Sequence, residues 1–104
     1  MYSVVYLPGA LRQLEDITDY IALELKAPDA AAAFIDAVDV VASSLRQDPY
    51  RHPVYHSAFA IPEEIRFVPV KRYNLYYRVY EETRTVEVWR ILHQLQQQER
   101  HFHE

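Results

Sequence analysis

The hydrophobic rhythm of the chain changes twice. Tyr2-Ser3-Val4-Val5-Tyr6-Leu7 is rich in aromatic and β-branched residues and is stopped by Pro8-Gly9, which predicts a short strand. Both alternating faces, Tyr2/Val4/Tyr6 and Ser3/Val5/Leu7, are largely apolar, so this strand is expected to be covered on both sides. From Pro8 onward, Leu11, Leu14, Ile17, Ile21 and Leu25 recur at spacings of three and four, with Arg12, Gln13, Glu15, Asp16 and Asp19 between them. That pattern is an amphipathic helix of roughly five turns. Pro8 suits an early helical position, where its missing N–H costs nothing. Ala27-Pro28 breaks the pattern, because the residue before a proline is driven out of the helical region. A second helix runs from Pro28-Asp29 to the stop at Asp48-Pro49, with Ala30, Ala33, Phe34, Ala37, Val38, Val41 and Leu45 as its stripe. So short a connection implies an antiparallel hairpin. The small side of the stripe, Ala30/Ala33/Ala37, is expected to let the first helix approach closely.

Residues 49–63 hold Pro49, Pro53 and Pro62 with no steady period and read as a loop rich in Tyr and His. Three strand signals follow: Glu64 to Val70, Asn74 to Tyr80 and Thr85 to Leu92, joined through Lys71-Arg72-Tyr73 and Glu81-Glu82-Thr83-Arg84. Connections this short make an antiparallel meander. Pro69 places the first of the three at the sheet edge. The tail from Gln94 to Glu104 has little apolar content and is expected to be a frayed turn of helix. The order β-α-α-β-β-β predicts an α+β fold, a helical hairpin packed on one face of a mostly antiparallel sheet. At 104 residues it is one domain, 1–104.

Composition removes several kinds of chemistry. With Gly9 as the only glycine there is no glycine-rich phosphate loop. With no cysteine there is no disulfide framework, thiol chemistry or cysteine-ligated metal. Nothing reads as a secretory signal or a membrane span: Met1 to Leu11 lacks a basic start, and the longest apolar run is Ala30 to Ile35. A cytoplasmic location is the expectation. The net charge of −4 argues against a surface built wholly for nucleic acid. That charge is unevenly spread, at −5 over residues 1–45 and +1 over the remainder, and nine of the eleven cations are arginine.

The densest cluster is Arg66, Lys71, Arg72, Arg78 and Arg90, interleaved with Tyr73, Tyr76, Tyr77 and Tyr80. Arginines and aromatics on a sheet can hold phosphates and stack bases. The plainer alternative is ordinary strand residues offset by Glu63, Glu64, Glu81, Glu82 and Glu87. Arg66 and Arg90 sit among apolar neighbours, so each is expected to have a specific partner. His52 and His56 flank Pro53, and His101 and His103 lie near the end; neither pair has metal-ligand spacing to a carboxylate, and no metal is expected. His93 ends the last strand, where it is expected to face the open surface of the sheet and can work as an acid or base near neutral pH. No serine lies in a nucleophile motif.

Element order and motif order together resemble one family. Ile65-Arg66…Pro69-Val70…Tyr73-Asn74-Leu75-Tyr76-Tyr77-Arg78-Val79, continued by Val86-Glu87-Val88-Trp89-Arg90-Ile91-Leu92-His93, is similar to the strand pattern of the RelE/ParE superfamily of type II toxin–antitoxin toxins, in its ParE-like branch. Asp16-Ile17 and Tyr20-Ile21 match that branch's first helix. The resemblance implies one of two activities. ParE-like toxins inhibit DNA gyrase and are not nucleases, whereas RelE-like toxins cleave mRNA on the ribosome. On the nuclease alternative, Arg66, Arg78, Arg90 and His93 stand where that branch keeps cationic or acid–base groups. The negative charge favours the gyrase inhibitor, since ribosomal RNA asks for a basic surface. The Gln-rich stretch after His93 departs from the ParE pattern and leaves a third alternative, a non-toxic interaction module.

On this resemblance a target would be met by Arg66, Arg72, Tyr77, Arg78, Arg90 and His93. The cognate antitoxin, a partly disordered chain that folds on binding, would be met by Leu14, Ile21, Phe34, Val38 and Val41. DNA gyrase is the expected target, with ribosome and mRNA as the alternative. No cofactor, no membrane partner and no stable direct contact with DNA are expected.

Overall fold

The computed structural model describes residues 1–56 and 62–95. In chain order the elements are β1 (Ser3–Tyr6), α1 (Pro8–Asp19), a π-helical turn (Tyr20–Glu24), α2 (Pro28–Gln47), β2 (Arg66–Val70), β3 (Tyr73–Tyr80) and β4 (Thr85–His93). The strands form one sheet in the order β1-β4-β3-β2. β1 runs parallel to β4, while β2–β3 and β3–β4 are antiparallel. This is the α+β arrangement predicted above, with β2 at an edge. The predicted tail helix beyond Leu95, with His101 and His103, and the loop residues 57–61 lie outside the described residues.

α2 docks through Phe34, Val38 and Leu45, and α1 through Ala10 and Ile17, onto Leu75, Tyr77, Val86, Val88 and Ile91 of the central strands. Fully burying side chains of this size contributes about 1.5–3 kcal/mol each. The opposite face carries a smaller cluster of Ile65, Tyr76 and Leu92, with Tyr55, Phe67 and Trp89 packed against it.

Four features depart from the sequence reading. β1 is a half-covered edge strand with Val5 43% exposed, because it pairs only with β4 and the helices cover one of its faces. The first helix does not run straight through five turns. After Asp19 it widens, with the Leu25 N–H donating to the Tyr20 carbonyl at 3.0 Å, five residues back. Within α2 the buried stripe is Ala31, Phe34, Val38, Ala42 and Leu45, which leaves Ala30 and Ala33 exposed instead of against α1. The loop after α2 is partly paired: the Tyr55 N–H donates to the Ile65 carbonyl and the Phe67 N–H to that of Pro53.

The register of β4 sets the site. Tyr77 pairs with Val88 but Tyr76 with Arg90, so Trp89 is an extra residue in a β-bulge. One inserted residue reverses every later side chain. Val88 and Ile91 therefore both join the helix-side core, while Trp89 and Leu92 pack on the other face.

Candidate functional site: a groove at one end of the sheet

The bulge carries His93 to the helix side, contrary to the open-face placement expected from simple alternation. There it pairs in register with Tyr73 and meets that ring edge-on at 5.2 Å. Its Nδ1 accepts the Leu95 N–H at 3.1 Å. The neutral ring therefore carries its proton on Nε2.

His93 and Tyr73 form one wall of a cavity of about 590 Å³. The π-helical turn and the residue after it supply a second wall with Tyr20, Ile21 and Leu25, and the first half of α2 supplies the floor with Ala30, Ala33 and Phe34. Lys71 and Arg72, in the two-residue turn between β2 and β3, complete the lining. Tyr20 and Leu25 are about half exposed, at 51% and 55%. Burial, and secondarily the nearby Tyr20, push the Tyr73 phenol up, so it stays protonated at neutral pH. The backbone around the groove is unusual. Lys71 has φ 57° and Lys26, just past the π-helical turn, φ 52°, left-handed conformations that Gly or Asn ordinarily fills and that Arg84, at the opposite end of the sheet, shares at φ 53°.

Among the residues singled out from sequence, the structure brings together Lys71, Arg72, Tyr73, His93, Ile21 and Phe34. It separates the others. The Arg66 guanidinium holds the loop after α2, donating to the His52 carbonyl at 2.7 Å and to that of Tyr50 at 3.3 Å, with Glu64 Oε1 at 3.4 Å. Arg78 lies over the Tyr80 ring at 4.4 Å and donates to its hydroxyl. Arg90 donates to the Trp89 carbonyl, and its Nη1 is 3.0 Å from where a Cβ on Gly9 would stand. Gly9 is thus the residue that lets this guanidinium lie against the start of α1.

Tyr77 is fully buried and donates to the Pro49 carbonyl at 2.6 Å. It is a core residue that pins the loop. Phe34 and Val38, at 1% and 2% exposed, likewise fix α2 to the sheet. Leu14, Ile21 and Val41 are half-buried against the same core. The apolar residues that the hairpin does present are Leu11, Tyr20, Leu23, Leu25, Ile35 and Val40. Sequence reading missed Tyr20, Leu25, Ala30 and Ala33 as groove residues, because helical periodicity assigns such positions to packing.

The opposite end of the β3–β4 pair is closed by its own side chains. Glu81 Oε1 accepts the hydroxyls of Tyr2 and Tyr50, each at 2.7 Å, and Oε2 accepts Arg84 at 2.9 Å. The two tyrosine hydrogen bonds hold the Glu81 carboxyl below its usual range. Donating to that carboxylate pushes Tyr50 up to about 12. Burial lowers the pKa of His52, and no group of three or more His, Cys, Asp or Glu able to hold a metal occurs among the described residues.

Comparison with known proteins agrees with this geometry. A sequence model of the family described as the ParE toxin of the type II toxin–antitoxin system parDE matches residues 4–98. A solved structure described as the chromosomal ParDE system from P. aeruginosa superposes with a TM-score of 0.67 at 19% identity, covering 89% of this chain and 96% of that one. The toxin–antitoxin complex RelBE2 from Mycobacterium tuberculosis gives 0.62 at 23% identity, covering 89% and 98%. No curated protein sequence matches the chain. The two superpositions establish a shared fold, and the family match over nearly the whole length establishes more: the chain belongs to the ParE family of toxins of type II toxin–antitoxin systems.

Proposed function

We propose that this toxin acts by inhibiting DNA gyrase and is neutralised by a cognate antitoxin. The observation that carries the choice of gyrase over the ribosome is the scattering of Arg66, Arg78, Arg90 and His93. A ribonuclease needs its phosphate-holding cations and its acid–base group within reach of one scissile phosphate. Here the first three are engaged by the loop after α2, by Tyr80 and by the start of α1. The net charge of −4 supports the same reading. In a supercoiling assay, micromolar folded toxin is expected to inhibit gyrase, and stoichiometric antitoxin to restore activity. Full supercoiling at that concentration refutes the proposal.

The location of His93 beside Arg72 and Lys71 favours one second reading, a ribosome-dependent mRNA endonuclease. That reading expects mRNA cleavage in a translation extract and its loss in the His93→Ala variant. Intact mRNA with the wild-type toxin eliminates it.

A further inference from the structure

We infer that the groove between the π-helical turn and the β2–β3 turn receives one short stretch of the antitoxin. A bulky apolar side chain sits over Ala30 and Ala33, and an Asp or Glu side chain adjacent in space is held by Lys71 and Arg72. This rests on the antitoxin reading above and specifies where and by what chemistry that partner docks.

Charge complementarity is the first support. None of the described residues lining the groove is acidic, and its polar edge carries two cations. The ion pairs among the described residues are Arg66–Glu64 and Arg84–Glu81, and neither involves Lys71 or Arg72. Residues 1–45, which build the other walls, carry a net −5. A polyanion such as RNA or DNA meets repulsion there, whereas a single carboxylate flanked by apolar side chains does not.

The cost of building the groove is the second support. The π-helical turn forms one wall, and π-helical turns are rare and concentrate at functional positions. Its consequence is direct: Tyr20, Leu23 and Leu25 are turned outward at 51%, 71% and 55% exposure. Lys71 holds a left-handed conformation in a two-residue hairpin turn, where glycine or asparagine would fold better. The cavity of about 590 Å³ has room for one or two large side chains.

The test uses the full-length toxin and the product of the reading frame adjacent to its gene, taken as the candidate antitoxin. Affinity and thermal stability are measured for the wild type, Ala33→Glu and Lys71→Gly. Ala33 is exposed, so glutamate there folds, occupies the floor and repels the carboxylate. It is expected to weaken binding at least about 100-fold. Lys71→Gly is expected to move the two readouts in opposite directions. Binding weakens about five- to tenfold at low salt and less at high salt, while Tm rises by about 4 °C. Wild-type affinity in both folded variants overturns the groove assignment and leaves the antitoxin reading standing. A wild-type toxin that does not bind the adjacent product overturns both.

Discussion

The two ends of the β3–β4 pair solve opposite problems with the same residue types. At the Tyr80–Thr85 end, tyrosine, arginine and glutamate satisfy one another: Glu81 takes two hydroxyls and a guanidinium, and Arg66 nearby closes the loop after α2. At the Tyr73–His93 end, tyrosine, arginine, lysine and histidine surround an open groove with no carboxylate among its described lining residues. The chain thus uses its arginines to fix structure at one end and, among the described residues, leaves Lys71 and Arg72 without an ion pair at the other. A cation on a sheet is therefore not a binding residue by composition alone; what counts is whether the chain has already supplied its partner.

The largest effect is expected where core and groove share a residue. Phe34 is 1% exposed and packs against Tyr73 with ring centroids 5.3 Å apart. Phe34→Ala is expected to cost about 3–5 kcal/mol in chemical denaturation, an upper bound against which groove variants are judged. Next is Tyr77→Phe, which leaves the buried Pro49 carbonyl without its donor. A loss of about 1–2 kcal/mol is expected, with antitoxin affinity unchanged.

The closed end is also expected to impose a pH signature. Glu81 titrates below its ordinary 4.5, so its contribution to stability is complete above that pH and is lost as pH falls through the depressed value. Tyr50 titrates at about 12 instead of 10.0, so its contribution is complete below pH 10.0 and is lost as pH rises through about 12. Glu81→Gln is expected to flatten both limbs of a Tm-versus-pH curve. An unaltered curve would mean that the cluster contributes nothing to folding. Smallest of all is Arg72→Ala, a groove cation with no ion pair among the described residues. Its stability is expected to stay within about 0.5 kcal/mol of wild type, while its antitoxin affinity falls.

Periodicity made the elements legible, since Leu11 to Ile17 and Phe34 to Leu45 repeat on one helical face and the prolines mark the breaks. The site was harder to read for two physical reasons. Trp89, an apolar residue in an apolar strand, hides a bulge, and that one residue transfers His93 from the open face to the groove. Helical spacing also continues through Ile21 and Leu25 whether the turn is α or π, so the widening that exposes Tyr20 leaves no trace in the pattern. The Ala-rich start of α2 misled in the same way: small residues fit a close helix contact and an open groove floor equally well. Arg66 and Arg90 kept their expected character, strand arginines with specific partners.

The contrast between the two ends is tested most directly by amide hydrogen exchange on the toxin alone and in complex with its antitoxin. Bound antitoxin is expected to slow exchange across 20–34 and 71–73 while leaving 81–84 unchanged. Slowing at 81–84 with no change across 20–34 and 71–73 would contradict the account.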